Sequence, residues 1–192
     1  MVLKITKTTQ KIERLAVKSK LVFNIASRYY RGIIKKEIAL ANITSGDNIL
    51  CIGGGYCPFS AYLFYKATGA KVTVIDNDIL CVEGAKRVVE KMGLAGGIHV
   101  LELDGSSEDL KLEEFSVIHF AVQVEPIQEV FLNIKSLAKC GQKLLIRRPK
   151  KHLEENYSLL DGDILAVSAF ITHGRFCNVG KTIMHIAESN AQ

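Results

Sequence analysis

The sequence predicts an α/β fold: a doubly wound sheet of seven strands, mostly parallel, closed by a C-terminal antiparallel hairpin and preceded by N-terminal helices. Three observations carry this. Between residues 48 and 146 short apolar runs alternate with helical patterns, the rhythm of right-handed crossovers and a parallel sheet covered on both faces. Between residues 164 and 187 two β-like runs follow each other with no helix between them, as in a hairpin. Of the 192 residues 48% are hydrophobic and 23% charged, which is too apolar for a disordered chain and suits strands buried on both sides. The length fits one compact unit, a helical cap over residues 1–44 joined to a sheet domain over 45–192.

Residues 8–40 read as one or two amphipathic helices. Ile12, Leu15, Ala16, Val22, Phe23, Ala26, Tyr30, Ile33 and Ile34 recur at helical spacing, with basic residues between them. Residues 44–47 form a turn, and 48–52 a short apolar strand. A helix over 58–68 has Pro58 at its first position, where no amide donor is needed, and Gly69 at its end. Then come a strand over 71–75 and a helix over 78–92, capped by Asp78 and stopped at Gly93. Residues 98–102 are a strand, 106–112 a short helix or loop, 115–122 a strand, 126–138 a helix and 142–146 a strand. The closing pair is 164–172 and 181–187, joined by a loop holding Gly174 and Gly180.

Charge is uneven. The net charge is +5, yet residues 1–36 hold ten basic side chains against Glu13 alone, +9, leaving −4 for the remainder. That face is the wet side of a helix or an arm for anions such as nucleic acid. The lysine-rich N-terminus is a poor signal peptide, and the uncharged run 48–65 is broken by three glycines and a proline, against a membrane span. Five scattered cysteines, odd in number and without a C-x-x-C pair, suit free thiols in a reducing cytoplasm.

In a doubly wound sheet the ligand sits beyond the strand ends, beside the first strand. Here that place is Ile52 followed by Gly53-Gly54-Gly55-Tyr56-Cys57-Pro58, where glycine lets backbone approach a ligand and a helix start offers free N–H groups. Asp76 ends the second strand 21 residues after Gly55, placed to accept hydrogen bonds from ribose hydroxyls. Asp104-Gly105 ends the third, where a carboxylate can meet an adenine amino group. A dinucleotide fingerprint would need glycine where Pro58 stands.

Residues 47–55 (Asp-Asn-Ile-Leu-Cys-Ile-Gly-Gly-Gly), Val74-Ile-Asp-Asn77, Leu103-Asp-Gly105 and 115–121 resemble, in order, motifs of the class I S-adenosylmethionine-dependent methyltransferases. The likeness covers roughly residues 30–187 and implies a Rossmann-like sheet with an antiparallel hairpin. Cys51 and Cys57 depart from that pattern, since the family usually has an acid and a glycine there. The stretch Gly53-Gly-Gly-Tyr-Cys-Pro58 is closer to the turn of nicotianamine-synthase-like enzymes, which transfer the aminocarboxypropyl arm of S-adenosylmethionine. The resemblance therefore implies S-adenosylmethionine as cofactor, with methyl transfer first and aminocarboxypropyl transfer second.

It also implies roles. Ile52 and Gly53–Gly55 lie against the methionine part, Asp76 holds the ribose, and Asn77, Asp104 and Gly105 border the adenine. Ala121, Val122 and Gln123 line the floor. Glu125, or Tyr29 or Tyr30 from the N-terminal helix, is the candidate general base. The implied acceptor is a small molecule, with nucleic acid and a second copy of the chain as further partners the sequence allows.

Other signals fall away. The run 174–182 has five residues between its glycines and a strand after it, so it is not a phosphate loop. The five histidines show no metal-site spacing with cysteine, and no Gly-x-Ser-x-Gly elbow exists. No Asn/Asp-Pro-Pro-aromatic or Pro-Cys signature of base methylases is present either. Arg147 and Arg148 are expected at the surface, where they could clamp an anion.

Overall fold

The computed structural model describes residues 4–161 and 167–188. Two helices open the chain, α1 (Lys4–Lys18) and α2 (Lys20–Ala41), joined through Ser19 alone, whose hydroxyl accepts from Val22 N–H. After them come β1 (Asn48–Ile52), α3 (Phe59–Thr68), β2 (Lys71–Asp76), α4 (Ile79–Lys91), β3 (Ile98–Glu102), β4 (Val117–Phe120), α5 (Ile127–Leu137) and β5 (Lys143–Pro149). A 3-10 turn, Lys151–Asn156, precedes β6 (Ala169–Thr172) and β7 (Val179–Ile186).

The strands form one sheet in the order β3-β2-β1-β4-β5-β7-β6. β1 to β5 are mutually parallel, and β7 runs antiparallel to both β5 and β6. The order reverses between β1 and β4, opening the crevice where such sheets bind ligands. Period-two alternation sorts β1: Ile49 and Cys51 join the core under α2, α3 and α4, while Leu50 and Ile52 join Phe120, Val130 and Phe131 under α5.

Most element expectations hold; the differences lie at ends. Asp78 caps α4 through Leu80 N–H at 2.9 Å, as its sequence position implies. Pro58 is the residue before α3 rather than its first helical residue, with ψ at 64°. β4, Val117–Phe120, is shorter than 115–122, with Phe115 buried in the core beneath α5 just before it. Residues 106–112 make turns, not a helix. The first hairpin strand is seen from Ala169 only; residues 164–166 of the expected run fall outside the described residues.

Candidate functional site

The turn after β1 is built by conformation. Gly53 and Gly55 have φ of 75° and 66°, in the left-handed region that side chains avoid. A Cβ on Gly54 would stand 2.1 Å from Val74 Cγ1, so only glycine lets the turn lie on β2. The N–H groups expected to face a ligand are already engaged. Gly53 and Gly54 donate to Ile75 O at 2.9 and 3.3 Å, and Gly55 donates to Asp76 Oδ2 at 2.8 Å. The next two amides, Tyr56 (2.9 Å to Oε2) and Cys57, donate to the carboxylate of Glu13, which reaches over from α1. The glycines thus supply close approach, and the amides of the turn from Gly53 to Cys57 serve the protein itself.

Beside this turn lies an outer cleft that opens to solvent. Ile52, Gly53, Gly55, Asp76, Asn77, Asp104, Gly105, Gln123 and Glu125 line it, so the structure brings together residues from four separate loops and strand ends. Asp76 Oδ1 accepts from Asp78 N–H at 3.1 Å, which fixes the carboxylate from both sides, and burial raises its pKa. Asn77 Nδ2 donates to Asp104 Oδ2 at 3.0 Å. Hydrogen bonds from the Ser106 amide and hydroxyl hold Asp104 below the usual carboxylate range. Glu13, Asp76, Asp78, Asp104 and Glu125 make five carboxylates in this lining, and among the described residues no lysine, arginine or histidine belongs to it.

A narrower inner cavity continues from the cleft past Glu13, Gly53 and Gln123. Ala121, Val122, Gly54, Tyr30, Ser60, His119 and Arg147 line it. Tyr30 stacks on Phe59 at 5.5 Å, and burial raises its hydroxyl pKa strongly. Tyr29 lies elsewhere, beside the β6–β7 loop, its hydroxyl accepting from Asn178 N–H at 2.7 Å.

Arg147 corrects an expectation. It is 3% exposed, not a surface residue. Its Nε and Nη2 donate to the two oxygens of Glu37 at 2.8 and 2.7 Å, a paired fork, while Nη1 donates to Ser60 Oγ. Burial alone would raise the Glu37 carboxyl; the Arg147 charge and hydrogen bonds, helped by His119, hold it far below the carboxylate range. Thr182 Oγ1 also donates to Glu37, at 2.6 Å. His119 Nε2 stands 3.6 Å from Glu37 Oε2, too far for a hydrogen bond, and burial together with Arg147 keeps the ring neutral.

Sequence reasoning passed over Glu13 and Glu37. The signal was present: Glu13 is the lone acid among ten basic residues, three positions before the buried Ala16, and Glu37 follows the buried Ile33 and Ile34 at helical spacing. An acid on an apolar stripe needs a buried partner.

Burial raises the Glu13 pKa to about 7, Tyr56 N–H working against it and the Asp76 charge with it. Such a carboxyl binds a proton in the folded state that the unfolded chain, near the ordinary 4.5, has already lost. Stability from this group is therefore full below pH 4.5 and falls as pH rises through 7. The ligand-free protein is expected to lose on the order of 2–3 kcal/mol between pH 5 and 8 on this account. Urea titrations of wild type and Glu13→Gln check it: the variant should lack that part of the slope.

No protein-family model matches the chain, and no curated protein matches it. Solved structures do. The sheet order, the hairpin and the glycine turn make this the class I S-adenosylmethionine-dependent methyltransferase fold. Among those structures, a point mutant of MtNAS in complex with S-adenosylmethionine matches with a TM-score of 0.80 at 22% identity, over 95% of this chain and 72% of that one. A Methanococcus maripaludis protein described as a candidate S-adenosyl-L-methionine-dependent methyltransferase matches at 0.70 and 14%, over 100% and 96%. An RNA methyltransferase from Salinibacter ruber, in complex with S-adenosyl-L-homocysteine, matches at 0.65 and 13%, over 83% and 93%. At these identities the likeness establishes the fold.

Proposed function

We propose that this protein binds S-adenosylmethionine in the outer cleft and transfers a group from it to a small acceptor in the inner cavity. The observation that carries this reading is the charge of the cleft: five carboxylates and, among the described residues, no basic one, with Asp76 fixed at the end of β2. Each Asp76 oxygen keeps a lone pair for a ribose hydroxyl after taking its backbone N–H. Such a lining suits a neutral diol, an adenine edge at Asn77, Asp104 and Gly105, and a cationic sulfonium. It repels the pyrophosphate of a nicotinamide dinucleotide. Ile52 and Gly53–Gly55 would border the methionine part, with Ala121, Val122 and Gln123 between cofactor and acceptor.

A sulfonium transfer depends chiefly on alignment, and orientation can supply about 7–11 kcal/mol of barrier reduction. Of the candidate bases, Glu125 lines the outer cleft and Tyr30 the inner cavity, where burial keeps its hydroxyl protonated, and Tyr29 lies apart from both. Methyl transfer is the first reading. Aminocarboxypropyl transfer is the second, favoured by Pro58 in the glycine turn and by likeness to MtNAS, also solved in complex with MTA and tNA. An RNA acceptor would engage the basic α1–α2 face and show steep salt dependence.

Thermal shift tests the cofactor. S-adenosylmethionine, S-adenosylhomocysteine and methylthioadenosine should each stabilise the protein, at a hundred times Kd by about 2.7 kcal/mol or roughly 5–10 °C. NAD should not; stabilisation by NAD alone overturns the proposal. Assaying S-adenosylhomocysteine against methylthioadenosine as product then decides which group moves.

A further inference from the structure

We infer that Glu13 is the counter-charge that the protein supplies to the positively charged methionine arm of S-adenosylmethionine, so that α1 reads the charge of the ligand and not only its shape. The inference rests on the proposed cofactor and deepens it. Glu13 lines both spaces and stands where they join. The ribose, held by Asp76, fixes where the next atoms of the ligand go, because the same Gly55 whose N–H binds Asp76 lies under Glu13: a Cβ there would stand 2.7 Å from Glu13 Oε2. A sulfur attached to that ribose and pointing from the cleft toward the inner cavity must pass this carboxylate.

The carboxylate is also pre-aimed. The Tyr56 and Cys57 amides clamp it, and Tyr56 is itself held, with the Arg14 guanidinium 5.7 Å over its ring and Gly84 of α4 close beneath. It is 8% exposed, and those amides leave acceptor lone pairs unused. The groups facing it are Tyr30 from α2, Asp76 from the end of β2, Cys57 from the turn, and Cys81 and Asp78 at the start of α4. Asp76 is negative, while burial raises the Tyr30, Cys57 and Cys81 groups so that they stay neutral at pH 7. The nearby cations are engaged elsewhere: Arg14 on the Tyr56 ring, and Arg147 on Glu37. The Cys51 thiol in β1 is pushed up to about 12 by burial and carries no charge. A cation entering here therefore finds Glu13 as its partner.

Proton linkage follows. With a pKa of about 7 in the empty site, Glu13 must ionise to receive the cation, so ligand affinity rises with pH where the group would otherwise be protonated.

The experiment is calorimetric binding of S-adenosylmethionine, of the neutral-sulfur S-adenosylhomocysteine, and of methylthioadenosine, which lacks the charged arm. It uses full-length wild type and Glu13→Gln at pH 6 and 7.5. Wild type should bind S-adenosylmethionine about tenfold more tightly at pH 7.5 than at 6. At pH 7.5 the variant should lose about 10- to 100-fold for S-adenosylmethionine, less for S-adenosylhomocysteine, within twofold for methylthioadenosine, and it should lose the pH slope. An equal loss for all three ligands would mean a merely structural role and would overturn the inference. So would tighter binding of S-adenosylmethionine by the variant, since Glu13 would then be an obstruction. Absence of S-adenosylmethionine binding by wild type overturns the functional proposal itself, an outcome distinct from the other two.

Discussion

Arg147→Ala is expected to destabilise the protein by about 3–5 kcal/mol, read as a lowered urea midpoint at pH 7. The size comes from what is left behind. Glu37 is fully buried, and without the guanidinium its charge keeps only Thr182 Oγ1 among its direct hydrogen bonds, with a neutral imidazole nearby. Either the carboxyl takes a proton at a cost, or an unpaired charge stays in the core. Glu37→Ala should cost a similar amount by stranding the guanidinium. A Glu37→Leu/Arg147→Met double variant should recover most of the loss, because removing both charges also removes their desolvation. A single-variant cost below about 1 kcal/mol would show that water reaches the pair and that the inner cavity is wetter than its lining implies.

Asp76→Ala is expected to weaken S-adenosylmethionine binding by at least about 100-fold, which is roughly 3 kcal/mol, two hydrogen bonds to a charged acceptor. The loss has a second source: Gly55 and Asp78 N–H groups lose their acceptor, so the turn and the start of α4 lose their shared clamp. Asp76→Asn separates the two, since the amide oxygen can still accept one backbone N–H while the charge is gone. Isothermal titration of both variants decides the matter, and unchanged affinity in Asp76→Ala would remove the ribose from this position.

The fold was legible because its signals are local. Apolar runs at 48–52 and 71–75 separated by one helix-length segment, with Gly53 and Gly69 as punctuation, leave few alternatives to a crossover, and the two runs after residue 164 announce an antiparallel end. Asp76 and Asp104 were readable for the same reason, since a strand end followed by an acid is a short-range pattern. Glu13, Glu37 and Arg147 were harder. Their meaning depends on partners 43 and 110 residues away, and periodicity shows which face a residue takes without showing what that face meets. The turn amides illustrate the limit. Glycine spacing reveals where backbone can come near a ligand, but whether the amides are spare is decided by Ile75 O, Asp76 and Glu13.

The Glu37 cluster has a consequence for how the chain is made. Its members come from the second helix, from β5 and from β7, so the charge on Glu37 has no complete neutralising shell until residues 110 and 145 positions later have arrived. A nascent polypeptide leaving the ribosome can form its early crossovers from local contacts, yet it must hold this anion in water until Arg147 and then Thr182 have been made. Closure of the interior is thereby postponed until β7 has emerged, when α2, β5 and β7 meet around one carboxylate.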